Sequence, residues 1–316
     1  MTSCCVIGGS GFIGSYVVAM LHATGRTVTV VGRKPVPSRP LPDGVLYHAG
    51  DYGDCYFLRG ILQNTDEVIS LAHTTVPKTS FDDPSSDILG NLPAAVNLFE
   101  TASSLGIRKF IFVSSGGTIY GNAANLPIAE SFLLNPISPY GITKLAIEKY
   151  AFMFHITHGL PFVCVRPANA YGPGQRPFVG QGLVATVAAS ILNGQEILSY
   201  GYEGTIRDYV HVRDVASGIV AALERGVIGE CYNIGSGIGR SNKDVIDAIA
   251  SHGREEGYEA VVRVLPKRRF DVTTNILDSG KLMAVTGWRP FVDFDEGICE
   301  TWRWYADNLN RDASCG

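Results

Sequence analysis

The sequence has few charged residues and no excess of positive ones. Charged residues make up 18% of the 316 residues, and the 26 Lys and Arg are outnumbered by 30 Asp and Glu, which gives a net charge of −4. General nucleic-acid binding needs a basic surface that displaces counterions from the phosphate backbone. The charge balance therefore argues against nucleic acid as a partner, although a local basic patch for a small phosphate ligand is compatible with it.

The sequence also lacks zinc-like cysteine spacing, a secretory leader and a membrane-spanning run. Its seven cysteines include no C-x-x-C pair, and an odd number without a disulfide framework fits a reducing cytosol. No apolar run approaches the roughly 20 residues of a transmembrane helix, and no basic segment with a cleavage site precedes the first apolar run. We therefore expect a soluble, cytoplasmic protein with no membrane partner.

Alternating short apolar runs and longer helical patterns fill the first half of the chain. This order is typical of a parallel sheet with crossover helices. Strands are predicted at residues 4–7, 27–31, 67–71, 109–113 and 162–165, and helices at 14–24, 91–104 and 140–158. Because the strand runs are continuously apolar, both sheet faces should be covered, as in an α/β doubly wound parallel sheet of the Rossmann type.

The residue pattern changes in the second half of the chain, where turn residues become frequent and the predicted strands and helices become shorter. We predict a dinucleotide-binding domain over residues 1–168 and a smaller C-terminal α/β lobe over 169–316 that mainly binds substrate. A segment near 205–235 should return to the first domain.

A glycine-rich loop follows the first predicted strand and opens the first predicted helix. It reads Gly8-Gly9-Ser10-Gly11-Phe12-Ile13-Gly14. Gly8 permits a tight turn, Gly11 lets the backbone approach a diphosphate, and Gly14 lets the helix pack closely on the strand. Free N–H groups and the helix dipole favour an anion there. The loop, with Phe12 and Ile13, is therefore predicted to bind a dinucleotide.

The end of the second predicted strand leaves the cofactor's phosphate state open. NAD sites usually have an acidic residue there that holds the adenosine ribose, whereas this chain has Gly32, Arg33 and Lys34. Two cations could accept the 2′-phosphate of NADP. Alternatively, Arg33 stacks over adenine or is simply solvated. We expect NAD, with NADP as the alternative.

Tyr140 and Lys144 are spaced by four residues at the start of a predicted helix, so they lie on one face. A nearby ammonium favours the phenolate, which brings a tyrosine towards acid–base work at neutral pH. The lysine can also bind the nicotinamide ribose. The pair is predicted to be catalytic, although this spacing also occurs by chance on surface helices.

A third motif with small hydroxyl residues, Val113 to Gly121, follows an apolar strand. The carboxyl ends of strands are where doubly wound folds bind ligands. Ser115 or Thr118 is predicted to hydrogen-bond a sugar hydroxyl and relay its proton to Tyr140. The alternative is that these hydroxyls only satisfy the turn backbone.

Together these motifs resemble the extended short-chain dehydrogenase/reductases, especially the nucleotide-sugar 4-epimerases related to UDP-galactose 4-epimerase. The resemblance runs from Val6 to about Pro290. On the cofactor side it implies Asp51 and Tyr52 beside adenine, and Leu71, Ala72, His73 and Asn91 against the cofactor. On the substrate side it implies Asn169 and Arg207 at the nucleotide diphosphate, and Arg268 and Asp271 near the uridine. It also implies a homodimer.

Physical chemistry supports the diphosphate role of Arg207 independently, because a guanidinium fork suits phosphate oxygens. The alternative for Arg207 is a salt bridge with Asp208 or Asp214.

The sequence departs from the family pattern at several positions. The residue four before Tyr120, usually a catalytic Ser or Thr, is Gly116, so Ser115 or Thr118 must supply any hydroxyl. His73 replaces a small residue and can be read as a packed or hydrogen-bonded histidine. The 4,6-dehydratases carry Asp-Glu where this chain has Gly117 and Thr118, which disfavours elimination of water.

The resemblance implies a 4-epimerase of an NDP-hexose, with a UDP-sugar expected. Such an enzyme forms a transient 4-keto sugar by reversible hydride transfer to a bound nicotinamide. The first alternative is an NADP-dependent reductase of an NDP-4-keto sugar, which Arg33 and Lys34 favour. The second is a non-catalytic NAD(P)-binding protein on an inherited fold.

Overall fold

The computed structural model describes residues 1–266 and 272–313 of the chain. The strands are β1 (Ser3–Ile7), β2 (Thr27–Gly32), β3 (Leu46–Ala49), β4 (Glu67–Ser70), β5 (Lys109–Val113), β6 (Phe162–Pro167), β7 (Asn169–Tyr171), β8 (Ile197–Tyr200), β9 (Ile206–His211), β10 (Cys231–Ile234), β11 (Gly239–Ser241), β12 (Val262–Leu265) and β13 (Thr274–Asn275). The helices are α1 (Phe12–Ala23), α2 (Cys55–Leu62), α3 (Pro84–Ser104), α4 (Gly116–Ile119), α5 (Pro139–His158), α6 (Leu183–Leu192), α7 (Val212–Arg225), α8 (Asn242–Glu255), α9 (Gly280–Thr286) and α10 (Phe294–Ala313). Among the described residues, no helix combines the length and apolar character that crossing a membrane requires.

The largest sheet has seven parallel strands in the order β10-β6-β5-β4-β1-β2-β3. Buried side chains of α1 and α7, such as Leu21 and Ile219, pack on one face. Those of α3 and α5, such as Phe99 and Phe154, pack on the other. Water is thus excluded from both faces, which explains why a strand such as β6 is buried at every position. The prediction of a doubly wound α/β fold is confirmed.

The strand order reverses between β1 and β4, which lie side by side in the sheet centre. The connections that follow these two strands leave on opposite sides and open a crevice at their carboxyl ends, where doubly wound folds bind ligands. The glycine-rich loop follows β1, and Leu71 to His73 follow β4. The fold therefore brings two of the predicted cofactor segments together.

The second half of the chain builds a smaller lobe and also completes the large sheet. β9 pairs with β7, β11 and β13 in a four-stranded sheet, and β8 pairs with β12. Side chains of α6, α8 and α10 form a separate core around Trp302. Within the segment 205–235, β9 lies in the small sheet, whereas α7 packs beside α1 and β10 extends the large sheet. The division into domains at residue 168 stays a prediction.

Two helices that carry predicted site residues begin with clear capping signals. α5 begins at Pro139, and the hydroxyl of Ser138 accepts a hydrogen bond from the Gly141 N–H at 3.1 Å. α3 begins at Pro84 with Asp83 as its cap, so the predicted start at residue 91 was wrong. The first turns of α3 are largely polar and lack the apolar periodicity that predicted the rest of the helix.

A buried ion pair joins β6 to α5. The guanidinium of Arg166 donates to both carboxylate oxygens of Glu148, at 2.6 and 3.1 Å, and also to the hydroxyl of Tyr120 at 3.0 Å. Arg166 and Glu148 are 3% and 5% exposed, so neither charge can turn to water if its partner is lost. This pair fixes the helix that carries Tyr140 and Lys144 against the sheet.

Replacing Glu148 by Gln should destabilise the fold. The substitution keeps the side chain's size but leaves the Arg166 charge buried without a counter-charge, so the free energy of unfolding should fall by about 3 kcal/mol. Urea denaturation followed by circular dichroism measures it. The control is Glu224→Gln, which removes a 35% exposed partner of Arg26 and should cost at most about 1 kcal/mol. Equal effects of the two substitutions would contradict this account of the pair.

Candidate active site

The loop between β1 and α1 has the geometry that its glycines predict. Gly8 has a φ of +81°, and its N–H donates to the carbonyl of Val31 at 2.8 Å. A Cβ on Gly14 would lie 2.3 Å from the Gly8 carbonyl oxygen, closer than any side-chain carbon can approach. Residue 14 must therefore be glycine for α1 to pack against the loop.

The amino end of α1 is open to an anion. Gly11 is its N-cap, no side chain caps the helix, and the first turn has no acidic residue. The first-turn N–H groups, which include those of Phe12 and Ile13, have no acceptor within the helix and lie at the positive end of its dipole. A diphosphate supplies both acceptors and negative charge. The loop therefore fits the dinucleotide that its sequence predicts.

The segment after β4 packs directly on this loop. The Leu71 N–H donates to the carbonyl of Ile7 at 2.9 Å, and the Ala72 nitrogen lies 3.1 Å from the position that a Cβ on Gly8 would occupy. His73 follows at once. The structure thus brings Leu71 and Ala72 to the glycine-rich loop, and the contact of Leu71, Ala72 and His73 with the cofactor stays a prediction.

The residues predicted to surround the adenosine gather beyond β2 and β3. Arg33 is exposed. The Asp51 carboxylate accepts a hydrogen bond from the Gly53 N–H at 2.9 Å. Burial and the Asp51 charge raise the pKa of the neighbouring Tyr52 to about 12, while the charge of Arg33 opposes that rise. Arg33 is thus in the electrostatic range of Tyr52, and its placement fits both a 2′-phosphate contact and stacking on adenine.

Arg39 is a further cation at this crevice, and sequence reasoning missed it. Its guanidinium lies 5.6 Å from the centre of the Phe12 ring and donates to the carbonyl of Gly174. It thereby connects the amino end of α1 with the turn after β7. The long irregular segment between β2 and β3, which is rich in proline, carries no pattern that would predict this contact.

Tyr140 and Lys144 lie one turn apart on α5, as their spacing predicts. The Lys144 ammonium is 5.8 Å from the centre of the Tyr140 ring and donates to the carbonyl of Val113 at 2.9 Å. Val113 is the last residue of β5, so the ammonium is held at the carboxyl end of the sheet. The side chain of Lys144 is buried.

Burial and a neighbouring carboxylate both act on the protonation of Tyr140. The pKa of Tyr140 is raised, first by burial and then by the negative charge of Asp87, and a hydrogen bond with Ser115 only partly opposes this. That Lys144 brings Tyr140 towards acid–base work stays a prediction. Burial lowers the pKa of Lys144 to about 8, although Cys164, Glu148 and Asp87 act in the opposite direction. A positive charge added next to Tyr140 would favour its phenolate.

The structure distinguishes the two candidate hydroxyls. The Ser115 side chain hydrogen-bonds with Tyr140, whereas the Thr118 hydroxyl is buried with no hydrogen-bond partner among the described residues. A Cβ on Gly116, at the family's usual hydroxyl position, would lie 2.7 Å from the Arg166 carbonyl oxygen. A serine there would therefore require backbone movement. Ser115 is the hydroxyl that accompanies Tyr140, and Thr118 remains a candidate for the sugar.

A buried carboxylate, Asp87 on α3, was not predicted as part of the site. Its oxygens accept hydrogen bonds from the hydroxyls of Thr75 and Thr143 and contact His73 Nε2 at 3.3 Å. The His73 ring meets the Tyr140 ring edge-on, with 4.6 Å between centres. Asp87 lies four residues before the predicted start of its helix, so no pattern indicated that it faces the pair.

Asn91 braces the segment that follows β4. Its amide oxygen accepts the Thr74 N–H at 2.8 Å, and its amide nitrogen donates to the Thr74 hydroxyl at 2.9 Å and to the Asp87 carbonyl at 2.7 Å. Both amide hydrogens are thus used within the protein. Its predicted direct contact with the cofactor stays a prediction.

The predicted diphosphate residues lie on the small sheet next to α4. The amide oxygen of Asn169 is 3.2 Å from the position of a Cβ on Gly117. Arg207 on β9 lies directly opposite Arg240 on β11 in antiparallel register. The Arg240 guanidinium lies 3.9 Å from the centre of the Phe294 ring, and Arg207 Nη1 donates to the Ile206 carbonyl at 2.8 Å. Two guanidinium groups in this register are compatible with a phosphate ligand, and Arg240 is a candidate that the sequence did not indicate.

The two acids proposed as alternative partners of Arg207 are occupied by other groups. The Asp208 carboxylate accepts hydrogen bonds from the Ser236 N–H and hydroxyl and from the N–H groups of Gly237 and Leu277. That of Asp214 accepts the N–H groups of residues 291 and 292. Four donors use the acceptor capacity of a carboxylate, so the Asp208 alternative is disfavoured.

Two predicted residues, Arg268 and Asp271, lie outside the described residues. Asn275, a little further along the chain, was not predicted. It is buried, its amide nitrogen donates to the Gly116 carbonyl at 3.1 Å, and its amide oxygen has no partner in the described part of the chain. It therefore offers a hydrogen-bond acceptor beside the hydroxyl motif.

An open cleft between α1 and α10 lies beside the turn after β7. Four carboxylates, of Asp295, Glu296, Glu300 and Asp307, line it with one guanidinium, of Arg303. Such a surface repels phosphate groups, so we do not assign the nucleotide to it.

Comparison with known proteins identifies the relatives of this arrangement. A family described as NAD dependent epimerase/dehydratase matches residues 4–235. A dTDP-glucose 4,6-dehydratase of Streptomyces antibioticus is 30% identical, and the match covers 96% of this chain and 92% of that protein.

Two solved structures are similar over almost the whole chain. A UDP-glucose 4-epimerase of Thermotoga maritima, solved with UDP-glucose, has a TM-score of 0.90 and 33% identity and covers 98% of this chain and 100% of that one. A UDP-glucose 4-epimerase of Thermus thermophilus in complex with NAD has a TM-score of 0.89 and 34% identity, with 97% and 100% covered.

Replacing Gly14 by Ala should weaken dinucleotide binding about 10-fold or more, since its Cβ would overlap the Gly8 carbonyl and displace the loop. Titration of the purified protein with NAD, followed by protein fluorescence, measures the affinity. Gly60→Ala is the control, because no atom lies within 4 Å of a Cβ there. It should leave the affinity unchanged. Wild-type affinity in Gly14→Ala would contradict the assignment of the loop.

Proposed function

The chain belongs to the NAD-dependent epimerase/dehydratase family, and we propose that it is a 4-epimerase of a nucleotide-diphosphate hexose, with a UDP-sugar as substrate and NAD as its tightly held cofactor. The observation that carries this proposal is the group formed by the buried Lys144 and the half-buried Tyr140 and Ser115 at the carboxyl end of β5. That the protein is cytoplasmic and forms a homodimer stays a prediction.

Tyr140 is proposed to take the proton of the sugar's C4 hydroxyl and to return it. When bound, an oxidised nicotinamide supplies a positively charged ring that accepts a hydride and gives it back. Tyr140 has its pKa raised by burial and Asp87, so an added positive charge near its ring favours the phenolate. Ser115 hydrogen-bonds with Tyr140 and can pass the proton between the sugar and the phenol.

Lys144 is proposed to hold its charge beside Tyr140 and to bind a hydroxyl of the cofactor ribose. One of its three N–H groups is used by the Val113 carbonyl, which leaves two donors for ligands. The ammonium also stabilises a phenolate electrostatically in a site from which water is excluded.

A 4-epimerase must let the 4-keto sugar turn over while its nucleotide stays bound. Arg207, with Arg240 opposite it, and Asn169 are proposed to hold the diphosphate on the small sheet. Charge-assisted hydrogen bonds from a guanidinium are strong enough to retain a diphosphate during this movement. Thr118 and Asn275, whose buried oxygens lack partners among the described residues, are candidates to bind the sugar on either face.

The residues beside Tyr140 favour epimerisation over dehydration. Elimination of water from a 4-keto sugar needs an acid and a base next to the departing hydroxyl, and the dehydratase Asp-Glu positions are Gly117 and Thr118. The nearby carboxylate of Asp87 already binds Thr75, Thr143 and His73. It is therefore poorly suited to protonate a leaving group.

A reductase of an NDP-4-keto sugar is the second candidate, because Arg33 is exposed where a 2′-phosphate of NADP would lie. Such an enzyme exchanges its cofactor at every turnover. NAD that stays bound through gel filtration supports the epimerase, whereas empty protein that prefers NADPH and consumes it with a 4-keto sugar supports the reductase.

Tyr140→Phe should lower the epimerisation rate about 10²- to 10⁴-fold, because phenylalanine fills the same space but transfers no proton. The assay incubates purified protein with UDP-glucose, UDP-N-acetylglucosamine and UDP-glucuronic acid and separates the C4 epimers. Tyr150→Phe is the matched control on the same helix, since Tyr150 is 41% exposed. It should keep the wild-type rate. Full activity in Tyr140→Phe would exclude this chemistry.

The dependence of kcat/KM on pH should show the titration of Lys144. Its pKa is lowered to about 8, so the ammonium is present below that pH and lost as the pH rises through it. Activity should therefore fall on the alkaline side. Lys149→Met, an exposed change on the same helix, should keep this limb, whereas Lys144→Met should abolish activity. A kcat/KM that keeps rising through pH 8 would contradict a requirement for the ammonium.

A further inference from the structure

The side chain of His73 is polar and buried, and it has no role in the proposed proton transfer. Its side chain is 6% exposed, and its ring meets that of Tyr140 edge-on at 4.6 Å between centres. Nε2 contacts Asp87 at 3.3 Å, but Nδ1 is buried with no hydrogen-bond partner in the described part of the protein. A buried nitrogen without a partner costs free energy unless a ligand satisfies it.

The contacts of Asp87 determine which nitrogen of His73 carries the proton. Both threonine hydroxyls donate to this carboxylate, and an ionised carboxylate can only accept. His73 therefore carries its proton on Nε2, and Nδ1 is an acceptor. Burial and the charge of Lys144 lower the pKa of His73 to about 2, so the ring is neutral near pH 7.

The position of His73 restricts what can donate to Nδ1. Ala72, its neighbour in the chain, packs on Gly8 at the glycine-rich loop, and its own ring packs on Tyr140. A dinucleotide with its diphosphate on that loop and its reactive ring at Tyr140 must pass this point. The part of the molecule that joins the diphosphate to the reactive ring is a ribose, and its hydroxyls are donors.

We propose that Nδ1 of His73 accepts a hydrogen bond from a hydroxyl of the ribose that carries the nicotinamide, and that Asp87 is the positioning residue that orients the ring for this contact. The proposal rests on the proposed function, because it requires a dinucleotide that extends from the glycine-rich loop to Tyr140. It gives His73, which departs from the family pattern, a role in holding the cofactor. The ribose would then have two partners: Lys144, which donates to it, and His73, which accepts from it.

The test uses protein from which any copurified nucleotide has been removed, and calorimetry measures its affinities for three probes: NAD, ADP-ribose, which lacks only the nicotinamide, and ADP, which also lacks the second ribose. His73→Phe keeps the ring against Tyr140 and removes both nitrogens. It should weaken NAD and ADP-ribose about 3- to 10-fold, the value of one neutral hydrogen bond, and leave ADP unchanged. ADP binding also reports that the loop is folded.

His73→Gln protects the test against misfolding, because the glutamine amide can still donate to Asp87 but puts no acceptor at the Nδ1 position. It should show the same loss for NAD and ADP-ribose. His22→Gln, an exposed change in the last turn of α1, should bind all three probes as the wild type does.

Asp87→Asn tests the positioning role. Its amide can present an N–H to Nε2, which moves the imidazole proton to Nδ1 and turns the acceptor into a donor. Affinity for ADP-ribose should fall while that for ADP is kept. Asp83→Asn, which keeps a good cap at the start of the same helix, should have no effect on any probe.

The outcomes separate the inference from the function on which it rests. If only the affinity for NAD falls, Nδ1 contacts the nicotinamide carboxamide, and the proposed ribose contact is overturned. No weakening, or equal weakening of all three probes, would also overturn it. A wild-type protein that binds none of the three would instead refute the proposed dinucleotide function, and the inference would fail with it.

Discussion

The rest of the site depends on how the buried ammonium of Lys144 is compensated. A charge removed from water must be compensated by hydrogen bonds and opposite charges. The Val113 carbonyl supplies the first, and the carboxylates of Asp87 and Glu148 supply the second. Each carboxylate has its own partners. Asp87 accepts hydrogen bonds from two threonine hydroxyls and contacts His73, whereas Glu148 pairs with Arg166. The site is therefore a connected polar network inside an apolar sheet and helix layer.

Much of the fold could be predicted because its signals are local. Continuous apolar runs predicted β5 and β6 and their burial on both sides. The glycines of the phosphate loop predicted a helix after β1, which begins at Phe12, two residues before the predicted start. The failures have local causes too. The first seven residues of α3 were not predicted as helix, because they are largely polar and show no apolar periodicity. β3 is a mostly exposed strand of four residues and carries little apolar signal.

The parts of the site that could not be predicted depend on contacts between distant segments. Asp87 and Thr143 are 56 positions apart and meet only because α3 packs on α5. Arg39 reaches Gly174 across the crevice, and Arg240 faces Arg207 only through the register of the small sheet. The raised pKa of Tyr140 reflects burial, which its spacing from Lys144 does not encode. The sequence thus predicted the glycine-rich loop and the spacing of Tyr140 and Lys144, whereas packing determined their environment and placed Asp87 beside them.

The central claim is that one hydrogen leaves C4 of a nucleotide-linked hexose and returns to the same carbon from the other side. The most direct test incubates the purified protein with a UDP-hexose that carries deuterium at C4 and analyses the product by NMR and mass spectrometry. The account predicts the C4 epimer with its deuterium retained at C4. Absence of an epimer, or an epimer whose label has exchanged with solvent hydrogen, would contradict it.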